Sequence, residues 1–363
     1  MVVGTRPEAI KLAPVIHRLG RAARVLHSGQ HYDAALCADL LAELGVRAEP
    51  GALGAGGGDR ADQLATVTGA LGARLRTQRP DVVVVQGDTN TTLGAALAAN
   101  AHRVPLVHVE AGLRSFDRAM PEEHNRVLTD HLADRCCAPT ETARANLVAE
   151  GIPPGRIAVT GNTIVDAVVA ARPDATTVAR TVAELGLSPG GFVLATFHRP
   201  ENVDHPERLA GILALLAELP LPVVLPLHPR TATRVGATGR PAPVTADGGG
   251  LRIVPPQPFR SFLALEAAAA FLISDSGGVQ EEASILGVPV LVARTSTERP
   301  EVLGRWATLA PPGPELDRLA RAWAADPAVP RRRAAGQSTP YGAGDAAARV
   351  VAGVAALAAA GRR

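Results

Sequence analysis

Residues 81–100 read DVVVVQGDTNTTLGAALAAN, a buried strand, a polar turn and the start of a helix in one run. Asp81–Val85 is dominated by an unbroken β-branched apolar run, the signature of a strand buried on both faces in a parallel sheet covered by helices. The hydroxyls and amide of Thr89, Asn90, Thr91 and Thr92 suit the capped start of a helix, which the small apolar residues that follow can continue. Asp88 then stands in a turn at a strand's carboxyl end, where open α/β sheets place ligand-binding and active-site groups.

The same strand, turn and helix pattern recurs along the chain. Leu106–Val109, Phe192–Leu194, Pro222–Leu225, Phe271–Ser274 and Pro289–Val292 read as further buried strands. Between them, Glu207–Leu219 sets Leu209, Ile212, Leu213 and Leu216 at helical spacing, giving one face to bury. The fold class is therefore α/β, and 363 residues suit two domains better than one. Two Rossmann-like doubly wound domains facing across a cleft are expected. Pro- and Gly-rich breaks between Gly151 and Pro189 locate the boundary, giving domains at residues 1–160 and 161–344, with a closing helix over 345–363 packed back on the first. The Gly-rich run Gly51–Gly58 follows no strand and reads as a flexible surface connection, and Arg331–Arg333 as a solvated helix end.

Composition narrows the function. A chain that is 47% hydrophobic and 20% charged is globular, which excludes disordered, collagenous and coiled-coil classes. Its formal charge of +2 supplies no global field for nucleic acid or an anionic membrane, so any anionic ligand must be held by local residues. The three cysteines, two of them adjacent at Cys136 and Cys137, offer neither metal spacing nor a disulfide framework and fit a reducing cytoplasm. Arg6 and Glu8 stand where a signal peptide needs its apolar core, and no apolar run approaches a membrane span, so a soluble cytoplasmic protein is expected. Among 37 basic residues only Lys11 is lysine, which directs attention to its surroundings.

Three strand-to-helix junctions carry more polar chemistry than a turn requires. In GTRPEAIK (4–11) Pro7 suits a first helical turn, placing Arg6 at a helix N-terminus and Lys11 about a turn further in, beside amides that favour an anion. In QGDTNTT (86–92) Asp88 is either a cap or an active-site carboxylate. In DSGGVQEE (275–282) Gly277 and Gly278 let the backbone approach a phosphate, Ser276 adds a donor, and Glu282 can accept both hydroxyls of a ribose. HVEAGLR (108–114) ends an otherwise buried strand on Glu110, and MPEEHNR (120–126) adds Glu122. Asp88, Glu110 and Glu122 gathered at one sheet edge would supply the carboxylates that proton abstraction needs, the alternative being a structural ion-pair network through Arg114 and Arg126. HRPEN (198–202) contributes the imidazole of His198 and the guanidinium of Arg199 from the second half. No P-loop, zinc pair, GxSxG elbow or strand-linked GxGxxG is present, so the residues favour acid/base chemistry on a phosphate-bearing ligand.

Taken in order, GTRPEAIKLAP, GQHYD, QGDTNTT, HVEAGLRS, MPEEHNR, APTE, TGNTIVDA, FHRPEN, LHPR, DSGGVQEEASILGVPVL and TERPE resemble the non-hydrolysing UDP-N-acetylglucosamine 2-epimerases, from Gly4 to about Glu301. The resemblance implies the two-domain GT-B fold and interconversion of UDP-N-acetylglucosamine with UDP-N-acetylmannosamine, with no metal and no cofactor. It implies loss of the C2 proton as UDP leaves C1, giving 2-acetamidoglucal, then re-addition with proton delivery to the opposite face. It places Asp88, Glu110, Glu122 and His198 at catalytic positions. Arg6, Lys11, Ser276, Gly277 and Gly278 fall at the diphosphate, Glu282 at the ribose, Gln257 and Phe262 near the uracil, and Arg299 near the phosphates or carboxylates. Gln30, His31, Arg199 and His228 match positions where some bacterial relatives bind a second UDP-N-acetylglucosamine as activator, and a homodimer is implied. A hydrolysing epimerase releasing UDP and N-acetylmannosamine, a GT-B glycosyltransferase, and a non-catalytic nucleotide-sugar sensor are the rival readings.

Overall fold

The computed structural model describes residues 1–30, 34–227, 231, 232, 234, 235 and 250–361, the side chains of residues 34–37 aside. The chain divides into two compact units, Met1–Ala170 with Tyr341–Arg363, and Ala171–Pro340.

In the first unit the DVVVV run forms β3 (Val83–Gln86), buried throughout. It begins two residues later than the sequence pattern suggests, because Asp81 is exposed at the sheet's edge. Beside it lie β4 (Leu106–Val109), β5 (Arg135–Ala138) and β6 (Ile157–Val159), all parallel and hydrogen-bonded in that order. A short parallel pair, β1 (Val2–Val3) with β2 (Leu26–His27), packs its first strand against β3. Strand order therefore reverses between β1 and β3, so the loops that follow these two strands meet at the carboxyl edge. Val83, Val85, Leu106, Ala95 and Leu147 belong to the apolar core, where each fully buried Val or Leu contributes roughly 1.5–3 kcal/mol. The helix Ala346–Ala360 returns to pack on the helix Arg6–Leu19, and Asp166 accepts from the Ala347 amide at 3.2 Å.

Gly51–Gly58 departs from the flexible connection expected. Leu53 and Ala55 are buried, and their amides donate to His27 and Ser28 carbonyls at 2.9 and 2.8 Å, so the run is pinned beside the end of β2 by ladder-like bonds.

The second unit holds six parallel described strands: β7 (Val193–Thr196), β8 (Val223–Pro226), β9 (Leu251–Val254), β10 (Phe271–Ser274), β11 (Val290–Val292) and β12 (Ala307–Leu309). Their order, β12-β11-β10-β7-β8-β9, reverses between β7 and β10. The turns after those two strands carry HRPEN and DSGG, side by side at the switch point. Phe271 meets Trp323 edge-to-face at 5.5 Å within this core. Arg331, expected at a solvated helix end, instead donates to the carbonyls of Ala269 and Ala270 and is half-buried, because those carbonyls lie just ahead of β10. Among the described residues no helix is long and apolar enough to cross a membrane, and no cluster of His, Cys, Asp and Glu could hold a metal.

Candidate active site

The first unit gathers its polar residues where the strand order reverses. Thr5 caps the helix Arg6–Leu19, and the Glu8 carboxylate accepts from the amides of Gly4 and Thr5 at 2.8 and 2.6 Å. Its other oxygen accepts from the hydroxyls of Thr89 and Thr92 at 2.7 and 2.9 Å, so one buried side chain ties the loop after β1 to the loop after β3. Burial raises the Glu8 carboxyl above its ordinary range, against the pull of these hydrogen bonds. Thr89 caps the helix Asn90–Ala101, which leaves Asp88 to another task.

Asp88 is ion-paired with Arg126, and its backbone carbonyl accepts from Asn125 at 2.9 Å. The second arm of Arg126 holds Glu123 at 2.5 Å, and Glu123 in turn accepts from the amides of Ser115 and Phe116. The network through Arg126 thus exists, but it uses Glu123. Glu122, half-buried in the first turn of the helix Pro121–Leu132, enters no ion pair among the described residues. Arg114 is absent from this group: it pairs with Asp130 at 2.8 Å and with Glu150 at 2.5 Å.

Glu110 follows β4, the neighbour of β3. It is buried, and its backbone has φ +69°, a left-handed conformation that costs a non-glycine residue about 1–3 kcal/mol and collects at functional sites. The ammonium of Lys11 holds its carboxylate, as does the Asn162 amide at 3.1 Å. The single lysine of the chain is therefore buried against the strained glutamate. Two residues on, Gly112 has φ +85° and a Cβ there would lie 2.3 Å from the Ala143 carbonyl, so only glycine fits. Arg6 is half-buried at the first position of its helix. Gln30 accepts from the amide and hydroxyl of Thr91 at 2.9 and 2.6 Å; its neighbour His31 lies outside the described residues, as does His228.

At the switch point of the second unit, Asp275 is fully buried and organises the HRPEN turn. Its carboxylate accepts from the amides of His198 and Arg199 and from the Asn202 side chain at 3.0–3.2 Å, and it faces His198 Nδ1 at 3.1 Å. Burial pushes this carboxyl up, but the imidazole and the donors outweigh it and hold it below the ordinary carboxylate range. Beside it, Glu298 collects three guanidinium groups: Arg294 at 2.8 Å, Arg199 at 3.5 Å, and Arg299. Arg299 also donates to Glu281 at 2.7 Å. Burial lowers Arg294 below the usual arginine range, and the neighbouring charges of Arg199 and Arg299 add to that effect against Glu298. Such crowding of cations suits an anionic ligand.

Ser276 caps the helix Gly277–Leu286. A Cβ at Gly277 would lie 2.4 Å from Arg299 Nη1 and 2.8 Å from Glu298, so this glycine makes room for the arginine cluster. Gly278 is the open one, its Cβ position 3.7 Å from the nearest atom, Ser276 Oγ. Glu282 is buried one turn into the helix, Phe262 is half-buried on the helix Phe259–Ala268, and Gln257 donates to the Pro255 carbonyl at 2.8 Å.

Comparison with known proteins agrees with this chemistry. A family profile described as UDP-N-acetylglucosamine 2-epimerase matches residues 17–355. The UDP-N-acetylglucosamine 2-epimerase of Methanocaldococcus jannaschii is 40% identical over 315 residues, covering 84% of this chain and 85% of that one. The crystal structure of the M. jannaschii UDP-GlcNAc 2-epimerase, in complex with UDP-GlcNAc and UDP, superposes with a TM-score of 0.85 at 36% identity, covering 98% of each chain. That of the Neisseria meningitidis UDP-GlcNAc 2-epimerase, bound to UDP-GlcNAc, also reaches 0.85, at 31% identity and 98% of each chain. These neighbours have the GT-B type of fold, as expected from two α/β units with parallel sheets. A profile spanning most of the sequence and a close relative matching over four fifths of it lead to one conclusion: the chain belongs to the UDP-N-acetylglucosamine 2-epimerase family.

Proposed function

We propose that this chain interconverts UDP-N-acetylglucosamine and UDP-N-acetylmannosamine without hydrolysing either, and that it uses no metal or redox cofactor. The observation that carries this reading is Glu110, a buried, left-handed carboxylate paired with the only lysine, on the strand next to the one that delivers Asp88. Hydrogen at C2 of the sugar is too weakly acidic to leave unaided. A positioned carboxylate contributes about a hundred- to ten-thousand-fold to such a transfer. Concerted departure of UDP removes the need for a full carbanion.

In the forward direction a carboxylate takes the C2 proton, the C–H electron pair becomes the C1=C2 bond, and the C1–O bond breaks with its pair on the β-phosphate oxygen of UDP. The bound 2-acetamidoglucal then takes UDP back at C1 and a proton on the opposite face of C2. Asp88, Glu110 and Glu122 of the first unit supply proton transfer on the two faces, and His198 of the second supplies a further proton-transfer group, its ring held by Asp275. Ser276 and Gly278, at the N-terminus of the helix Gly277–Leu286, take the diphosphate with Arg6, Lys11 and Arg299 and stabilise the charge that develops on UDP. Gly277 joins them at the diphosphate through its backbone and also leaves room for Arg299. Glu282 takes the ribose, and Gln257 and Phe262 the uracil. The same reading carries a homodimer that works in the cytoplasm.

Proton NMR of the purified chain with UDP-N-acetylglucosamine in D2O tests the proposal, with no metal or nicotinamide added. UDP-N-acetylmannosamine carrying deuterium at C2 is the expected product. Release of free sugar with UDP would overturn the non-hydrolysing assignment, and an unchanged spectrum, with and without added nucleotide sugar as activator, would overturn the epimerase reading of this chain.

A further inference from the structure

His108 lies on β4, fully buried, two residues before Glu110. Its Nδ1 is 2.6 Å from Asp130 Oδ1 and its Nε2 is 2.8 Å from the carbonyl oxygen of Gly87. A carbonyl oxygen only accepts, so Nε2 must donate. Asp130 already takes the Gly112 amide at 3.1 Å and Arg114 Nη2 at 2.8 Å on its other oxygen, and a carboxylate so placed is ionised and accepts from Nδ1 as well. Both ring nitrogens therefore donate, and the ring is a cation. The cluster stays neutral, with His108 and Arg114 balanced by Asp130 and Glu150, which is what burial of so many charges requires. Burial alone would push Asp130 up, yet the charges of His108 and Arg114 hold it below the ordinary carboxylate range.

What this pair holds is specific. Gly87 immediately precedes Asp88, and Gly112 follows Glu110 by two residues. One end of the His108–Asp130 pair thus grips the backbone before the first carboxylate and the other grips the backbone after the second. Glu110, in its left-handed conformation, is bracketed by His108 on one side and by the Gly112 amide on the other. A neutral ring in either tautomer satisfies one of these contacts and leaves the other with two acceptors facing each other.

We infer that His108 and Asp130 are positioning residues which, as a buried ion pair touching no substrate, fix the spacing of Asp88 and Glu110 needed for proton transfer. The inference rests on the functional reading above. The pair acts as a unit, so its two members lose together what either loses alone.

The test is the double variant His108→Phe/Asp130→Leu beside each single variant. Removing both charges spares the fold an unpaired buried ion. The folded double variant should lose about a hundredfold in kcat with KM for UDP-N-acetylglucosamine within about threefold, and each single variant should lose no less. A folded double variant with kcat within about threefold of the wild type would overturn the positioning role. If the double variant does not fold, nitrogen NMR of the wild-type chain decides. His108 should carry protons on both ring nitrogens in the folded chain under the conditions of turnover, and one bare nitrogen overturns the inference. A wild-type chain that leaves the nucleotide sugar unchanged breaks the functional reading. Turnover by the wild type beside an equally active folded double variant breaks this inference alone.

Discussion

Two of the described histidines stand on buried aspartates through Nδ1, and they differ in the other side of the ring. His108 on Asp130 is sealed, its side chain 0% exposed and its Nε2 spent on a backbone carbonyl. His198 on Asp275 is 40% exposed at the carboxyl edge of its sheet. Both aspartates accept from backbone amides of the turns they fix, Asp130 from Gly112 and Asp275 from His198 and Arg199, and each is held below the ordinary carboxylate range against the upward push of burial. The shared half of the motif therefore builds a turn. Exposure of the imidazole separates a brace from a group that can meet a ligand, and residue type alone does not.

If the sealed pair exists to space two carboxylates, removing a carboxylate must cost more than removing the brace. Glu110→Gln keeps the shape and the Asn162 contact but removes the base. Turnover should fall by about a thousandfold or more while UDP binding, followed by calorimetry, is retained. Asp88→Asn should behave in the same way, losing turnover with UDP still bound. Full activity in either variant sinks that residue's assignment and leaves the brace with nothing to position.

The open pair should show a mixed effect. Asp275→Asn keeps an acceptor for the Arg199 amide and Asn202 only by setting its NH2 where Oδ1 faced the His198 amide and Nδ1, and it removes the negative charge beside the imidazole. About 1–3 kcal/mol of stability should go with it, together with order in the turn that presents His198. Urea unfolding and kcat should both register the change; a variant that loses neither would show that Asp275 is not the organiser of HRPEN. The linkage sign follows from the depressed carboxyl. Its stabilising share is full above the ordinary value of 3.8 and is lost as pH falls through the lower folded value. The acid limb of the wild-type stability curve should accordingly be steeper than that of Asp275→Asn. Glu8, raised by burial above its ordinary 4.5, acts with the opposite sign: its share is full below that value and is lost as pH rises through the folded one.

Legibility in the sequence followed the range of the signal. Unbroken apolar runs such as DVVVV and FLIS announce buried strands by themselves, whereas β5 (RCCA) and β12 (ATL) carry no such run and become strands only because neighbours on the sheet accept them. Asp88 and Glu110 stood out because charge at the end of an apolar strand needs a reason. The partners did not. Asp130 lies 22 residues from His108, Asp275 lies 77 from His198, and Glu8 lies 84 from Thr92, distances over which one sequence carries no pairing information. Glu122 and Glu123 show the limit most directly. They are adjacent and identical in type, yet helix phase turns Glu123 inward onto Arg126 and leaves Glu122 on the rim. The Gly-rich run misled for the same reason, since the edge of β2 that pins Leu53 and Ala55 is a long-range partner.

The smallest effect separates two neighbouring glycines that the sequence presents as equivalent. At Gly277 a methyl group would fall 2.4 Å from Arg299 and 2.8 Å from Glu298, both buried, so the guanidinium must move away from the helix N-terminus. At Gly278 the nearest atom is the Ser276 hydroxyl at 3.7 Å, ordinary contact distance, and the helix gains from alanine. Gly277→Ala should therefore weaken UDP binding about tenfold through displacement of Arg299, with melting temperature lowered by a few degrees at most. Gly278→Ala should leave the fold intact and act only where its methyl meets a bound phosphate. Equal affinities for the two variants would mean that Arg299 does not reach the diphosphate and that its bonds to Glu281 and Glu298 are purely structural. A loss confined to Gly278→Ala would instead assign the diphosphate to the backbone amides of the helix, with the arginine cluster standing behind them as the sealed histidine stands behind its carboxylates.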